Sequence, residues 1–554
     1  MKTDLERPVS KRDVGPGGLL RALGGPRREL LLGSVVAIVS MVFIAHFARH
    51  FWFRYDNFLL VADRRIGSLD DWFRPHNDHW LTWTVLFSRG LHGLFGMNYW
   101  PWWYFPRLVG HAAVAFLFWR TLIRRGADPV IAFGTYVVLL VLAVSYFQDA
   151  LTVANYVVFP CIVVVALLVN GVEVPRSRHL IAAGICLVAA IMANGYGAPL
   201  LLAVAVVVTV RHRFRRWSPA IVPPVVILAA WYLRYRSQLL HHDHSLSVGF
   251  FVDAIDSAIG VVRTAVENTL GLPGPLAVLV VAAIAGQLVW LTYRRRLDMF
   301  DAIIVLTLAA VLGTLAWART TDPAYRQGNL TRYGYAVVLL LVLVVVPRLR
   351  FPTRPFARTA VGLVLVAVVA FNAVSLGGRL QHTGRVSQSI REDAETTAAL
   401  IAAGEPYSYT PLGVQPRLMQ RLVDSGWRPQ PSTDPNVVNR ARAQMRGVTM
   451  GDRSSPAKVA GHTAPAASDV DDNGCLVLRS PSVVELQVTG AGTFKVNRRV
   501  VVTWTDLRGT DRRLVQPGVI GLARPVGKTT VSVDTFEGDP TNICSLVPVA
   551  LPRP

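Results

Sequence analysis

Residues 30–48 read LLLGSVVAIVSMVFIAHFA, and the chain then turns polar: Arg54-Tyr55-Asp56-Asn57-Phe58, followed by Asp70-Asp71-Trp72-Phe73-Arg74-Pro75-His76-Asn77-Asp78-His79-Trp80. The apolar run is long enough for a helix to cross the hydrocarbon core of a bilayer. It follows a basic leader, residues 1–29, and reads as a retained span rather than a cleaved signal. A loop crowded with carboxylates, imidazoles, guanidinia and aromatics beside such a span places reactive groups at a lipid surface. This pairing sets the reading of the remainder.

Ten further apolar runs follow, near 104–122, 129–147, 155–171, 180–197, 199–211, 218–234, 272–292, 301–317, 334–347 and 357–376. With 52% hydrophobic residues in a chain of 554, a single soluble domain is excluded. The net charge is +22, and its placement argues against nucleic acid as the partner. Basic groups fall in every second connection: Lys11 and Arg28 before the first run, Arg124 and Arg125 after the second, Arg176 and Arg178 after the fourth. Arg215, Arg295 and Arg350 follow the sixth, eighth and tenth. The positive-inside rule then gives a cytoplasmic start, about eleven transmembrane helices and an exterior C-terminus. The count requires 78–100 not to cross. Arg89, His92 and Asn98 interrupt its leucines, so an interfacial amphipathic helix is expected there. The run Tyr99-Trp100-Pro101-Trp102-Trp103-Tyr104-Phe105 marks headgroup depth or offers faces for sugar stacking.

The expected architecture is a mainly α polytopic domain over 30–377, a helical and linker region over 378–473, and a β-rich, sandwich-like domain over 474–554. Alternating segments at 484–488, 500–504 and 530–533, punctuated by glycines, support the last of these. Gly527-Lys528-Thr529 is not a phosphate loop, because it leads into a strand pattern rather than a helix. Cys161 and Cys186 lie within apolar runs as packing residues.

Among the candidate chemical groups, Asp56 comes about eight residues past the first run, where a carboxylate can act as general base toward a hydroxyl. Asp63, Asp70, Asp71 and Asp78 share the loop. His76 and His79 would lie on one face of a helix, and could orient an acceptor, bind metal or solvate the loop. Zinc-protease spacing is absent, and a role for a divalent ion such as Mg²⁺ or Mn²⁺ stays open. Arg319, Arg326 and Arg332 lie in the outer connection before the tenth run, against the charge trend. Guanidinia there suit a phosphate, or the first-loop aspartates. His241-His242-Asp243-His244 reads as a polar loop, and Asn155 and Asn194-Gly195-Tyr196-Gly197 either line a cavity or cap helices.

With these residues in view, the chain over 1–377 resembles the GT-C superfamily of membrane glycosyltransferases that use polyprenyl-phosphate sugars. Tyr55-Asp56-Asn57-Phe58, Trp72–Trp80 and Arg332-Tyr333 carry the resemblance. Many such proteins have two acidic residues where this chain has Asp56-Asn57. The resemblance implies an inverting transfer in the bacterial plasma membrane, from a polyprenyl-phosphate donor to a hydroxyl of a cell-envelope glycan or lipid. It assigns Asp56, His76, Asp78 and His79 to catalysis and Arg319, Arg326, Arg332, Tyr333, Asp71 and Asn57 to substrate binding. A transporter or flippase, or a non-catalytic envelope scaffold, are the alternatives; the scarcity of mid-span charges disfavours transport.

Cys475 and Cys544 bracket the β-rich tail, and an exterior tail would join them as a disulfide. Peptide mapping without reductant is expected to recover the linked pair; two free thiols would refute both the bond and the oxidising location.

Overall fold

The computed structural model describes residues 26–405 except 54, 66, 77–78, 144–151, 240–247, 295 and 320–330, then 416–441 except 436 and 439–440, and eleven strands between 448 and 545. For Asp56, Arg319, Arg332 and the strands, the backbone alone is described.

A helix falls on each expected apolar run: α1 Pro26–Ala48, α5 Phe105–Arg124, α6 Pro129–Leu140, α7 Thr152–Gly171, α8 Ser177–Ile191, α9 Gly197–Val210, α10 Phe214–Tyr235, α12 Gly274–Tyr293, α13 Met299–Arg319, α14 Thr331–Val345 and α15 Pro355–Ala402. Among the described residues, five helical segments are long and apolar enough to cross a membrane: Glu29–Ala48, Val153–Gly171, Gly274–Tyr293, Met299–Trp317 and the long helix Pro355–Ala402. Their outward faces agree. Leu31, Ile38, Val39 and Val42 on α1, Leu279 and Val289 on α12, and Leu363, Val364 and Val366 on α15 are each more than half exposed. A continuous apolar surface of this kind is costly in water and free of that cost in lipid. The chain is a helical membrane protein.

Short helices fill the first loop: α2 Tyr55–Ala62, α3 Leu69–Phe73 and α4 Thr82–Phe95. The helix expected within 78–100 is thus present as α4, packed on α2 through Val85 and Leu60. The aromatic run divides. Tyr99, Trp103 and Tyr104 are buried, whereas Trp100, Trp102 and Phe105 are exposed. Phe53 packs edge-on against Tyr99 and Trp103, with ring centroids 4.9 and 4.8 Å away. Half of the supposed belt is therefore core.

Two expectations are revised. The connection between the expected runs 218–234 and 272–292, in which 241–244 reads as a polar loop, contains a 23-residue helix, α11 Val248–Leu270. Its apolar residues recur at helical spacing between Asp253, Asp256, Arg263 and Glu267, a mixture that lowers hydropathy without breaking the helix. The composition boundary at 377/378 falls inside α15, which runs on without interruption. Beyond the boundary, Leu380, Ala394, Ala398 and Ile401 join Ile44, Phe51, Phe58 and Tyr104 in one apolar cluster. A following helix, α16 Pro416–Asp424, adds Leu418, Met419, Leu422 and Val423 to it.

The helical bundle has two distinguishable ends. One carries the first loop and is called here the loop end. The other carries the basic connections. There Asp301, almost wholly buried near the start of α13, lies between the guanidinia of Arg125 (2.9 Å) and Arg348. Arg125 also pairs with Asp298 and lies over the Phe300 ring at 4.5 Å. Three helices are joined by these charges. At the loop end, α8 and α9 turn so closely that a Cβ on Gly197 would lie 2.3 Å from the Ala190 backbone, so only glycine fits. Cys161 and Cys186 are free thiols.

In the tail, one sheet has six strands in the order Val448–Met450, Gly518–Leu522, Gly492–Val496, Thr541–Ser545, Leu476–Leu478, Ser468–Val470. The second has five: Lys458–Thr463, Val483–Thr489, Thr529–Thr535, Val500–Asp506, Gly509–Val515. All neighbours are antiparallel except the first pair of the six. Leu476 stands opposite Ile543; Cys475 lies outside the described residues.

Replacing Asp301 by Asn leaves Arg125 and Arg348 without their shared counter-charge. A loss of roughly 3–5 kcal/mol is expected, read as a lowered unfolding temperature of the detergent-solubilised protein. An unchanged temperature would show that the cluster contributes nothing.

Candidate functional site

The first loop is built on a buried guanidinium. Arg64, just past α2, donates to the backbone carbonyls of Asp71 (3.0 Å), Arg74 (2.8 Å) and Pro75 (2.8 Å). Burial, and then the nearby charge of Arg74, lower its pKa to about 10, so it is still a cation at neutral pH. Around it the aspartates are engaged. Asp71 accepts from the backbone N–H and Nε of Arg65, both 3.1 Å, and meets Arg74 at 3.2 Å. Asp63 accepts from Arg74 at 2.7 Å and from Arg421, on α16, at 3.2 Å. Asp70 accepts from Tyr235 Oη at 2.9 Å and Arg234 at 3.3 Å, both at the end of α10. Burial raises the Asp71 pKa, but the hydrogen bonds from Arg65 and the charges of Arg74 and Arg65 hold it below the usual carboxylate value.

Two further carboxylates belong to the loop, those of Asp56 and Asp78. Asp56 is the second residue of α2, and Asp78 lies outside the described residues. Asn57, beside Asp56, is buried.

His76 and His79 do not share a helix. Pro75 disfavours helical backbone before it, and the two histidines pair instead as an antiparallel bridge. Their backbone N–H groups donate to each other's carbonyls at 2.9 and 3.1 Å. Directly opposed residues of such a pair project to the same face, so the shared face survives for a different reason. The His79 ring rests on Gly195, where an added Cβ would lie 2.8 Å from Nδ1. Trp80 then stacks on Trp231 at 5.1 Å, and Trp231 Nε1 donates to the Phe73 carbonyl at 2.7 Å.

From Gly195 a line of rings crosses the loop end. Tyr196 packs on Phe159 (6.4 Å), Phe159 on Tyr335 (5.9 Å), and Tyr335 lies 3.1 Å from His111 Nδ1. Tyr335 is one turn from Arg332, so the start of α14 and the first loop occupy the same end of the bundle. Tyr333 is buried within this core. Arg319 closes α13, and Arg326 lies outside the described residues, as does 241–244.

The site list drawn from sequence omitted Arg107 and His111. Both are fully buried in the first turns of α5, and Arg107 donates to Tyr99 Oη at 2.7 Å. Their signal was legible, since ionisable residues at the head of an apolar run demand partners. Among the described residues, no three His, Cys, Asp or Glu side chains converge as a metal-binding group.

No family model matches this chain, and no curated protein matches it. Among solved structures it is similar to the arabinofuranosyltransferase AftD from mycobacteria, at 12% identity and a TM-score of 0.33. The match covers 93% of this chain and 61% of that one, so the chain spans about three fifths of that protein's length.

The Asp71 carboxylate gains stability from ionisation in the folded loop, because its folded pKa is depressed. That contribution is present above the ordinary value near 4 and is lost as pH falls through the folded value. Asp71→Asn is expected to cost about 1–3 kcal/mol at neutral pH and to flatten the acid limb of stability against pH. An acid limb unchanged in the variant would remove Asp71 from the lattice.

Proposed function

We propose that this chain is a membrane glycosyltransferase of the GT-C kind. It moves a sugar from a polyprenyl-phosphate donor to a hydroxyl of a cell-envelope glycan or lipid at the exterior face of a bacterial plasma membrane. In this reading eleven helices cross, the loop end faces outward, and the tail is exterior. The observation that supports the reading is that the helix bearing Asp56 and the helix bearing Arg332 lie at the same end of the bundle, the former beside a loop whose other described aspartates are already ion-paired.

Asp56 takes the proton of the acceptor hydroxyl while that oxygen attacks the anomeric carbon. The bond from carbon to phosphate oxygen breaks, its electron pair leaves with the polyprenyl phosphate, and the anomeric centre inverts. Asp56 stands in the first turn of α2. Arg326 and Arg332, with Arg319 nearby, hold the phosphate as charge develops on it. His76, Asp78 and His79 orient the reacting sugars, and Asn57 and Tyr333 contribute to substrate binding. Asp71 serves the same site indirectly, by holding the loop that presents the histidines. A divalent ion is not required by this scheme; an assay with and without chelator reads its participation.

Membranes containing the full-length chain, supplied with short-chain synthetic polyprenyl-phosphate pentoses and hexoses, test the proposal. Asp56→Asn is expected to lower transfer by about 10²–10⁴ at normal expression, and Arg326→Ala with Arg332→Ala to weaken donor binding. Transfer that persists at the wild-type rate in Asp56→Asn removes Asp56 from the mechanism. Donor flux across the bilayer without any transfer would favour the transporter instead.

A further inference from the structure

The helix α11 has no place in an eleven-span reading, and its two ends show why. Near its start, Phe250 packs edge-on against Trp317, with centroids 5.3 Å apart. Trp317 lies in the last turn of α13, whose other end holds Asp301 among the arginines, so this contact lies at the loop end. Near the finish of α11, the Thr269 carbonyl accepts from Asn372 Nδ2 at 2.6 Å, and Asn268 accepts from Arg379 at 2.5 Å. Asn372 also accepts from the backbone N–H of Ala143, just past the end of α6. Ala143 lies beyond the end of a helix that starts near Arg125 and so lies toward the loop end, and α12, which begins four residues after α11, runs the length of a span from there to Arg294 among the basic connections. Residues 250 and 269 are about 28 Å apart along a helix, nearly the thickness of a bilayer core, yet both touch the same end of the bundle. The helix lies across that end and does not pass through it.

Its two halves are sorted accordingly. In the second half Val261, Ala265, Val266 and Thr269 are buried in packing against α14 and its neighbours. In the first half Val248, Phe251, Val252, Ile255 and Ile259, at spacings of three and four, form an apolar stripe in which every side chain is more than half exposed. Asp253 and Asp256 lie exposed beside that stripe, in line with the Arg263–Glu267 pair at 3.4 Å. The second half is docked, and the first half carries one side that is apolar and uncovered and another that is charged. In water the uncovered stripe would be costly. At the edge of a hydrocarbon layer it has a partner, and the charged arc keeps its water.

We propose that α11 lies in the plane of the membrane at the loop end, with Val248, Phe251, Val252, Ile255 and Ile259 immersed in the acyl chains of that leaflet. The occupant of the stripe is lipid, because Phe250, beside the stripe, packs on Trp317 at the end of one membrane-length helix, and Leu276 and Leu279, in the first turns of another, expose apolar side chains at the same end. The inference does not depend on glycosyl transfer and stands or falls apart from it.

The photoreactive residue benzoylphenylalanine, placed at Ile255 or at Asp256 in the full-length chain in its native membrane, tests the proposal. Irradiation is expected to yield lipid adducts at position 255, seen by mass spectrometry of the peptide, and to lose them at position 256. A protein adduct at 255, whether to a second copy or to another chain, would overturn it. So would equal lipid labelling at both positions, the mark of a crossing helix.

Discussion

The loop beside the first membrane helix depends on one buried cation. The Arg64 guanidinium gives its donors to three carbonyls of a segment that has no sheet partner and little helix. Without it those carbonyls would be buried and unsatisfied, each at a cost of about 1–3 kcal/mol. With it, the chain from 71 to 75 has a single path, the His76–His79 bridge follows directly, and Trp80 arrives on Trp231. The surrounding aspartates balance this cation and its neighbours. Their arrangement engages each of Asp63, Asp70 and Asp71 in an ion pair.

The same economy governs the basic connections. Arg125 and Arg348 have the placement that sets orientation in a bilayer, and both also meet Asp301, tying α5, α13 and the end of α14 together. A charge placed for topology has thus become a structural partner, which is the usual fate of an ionisable group held away from water. Arg421 does the corresponding work at the loop end. It comes from α16, far along the chain, and shares Asp63 with Arg74. Together with the apolar face of α15 beyond residue 377, it makes the first loop and the post-membrane segment one packed unit.

Much of this was written in local pattern. Apolar run length placed the eleven helices to within a few residues, apart from α6, whose described helix stops at Leu140, and α15, which runs on well past the expected end. Interrupted leucines marked α4, and alternation marked the strands at 483–489, 500–506 and 529–535. The helix α11 was hidden because its four charged residues lower hydropathy below that of a span while leaving helical periodicity intact. The length of α15 was hidden because a helix leaving the membrane changes composition without changing backbone.

Sequence alone determined the membrane class, the spacing of the helices and the polar loop, since these follow from how long apolar segments must be and which residues water demands. Tertiary structure decided how the described charges are paired. Asp63, Asp70 and Asp71 look equivalent to Asp56 in the string of residues, but partners distant in sequence, Arg421, Arg234 and Tyr235 among them, engage two of them, and a buried local turn engages the third. No periodicity encodes which guanidinium will reach which carboxylate, because that choice is made only when separate helices are packed at one end of a bundle.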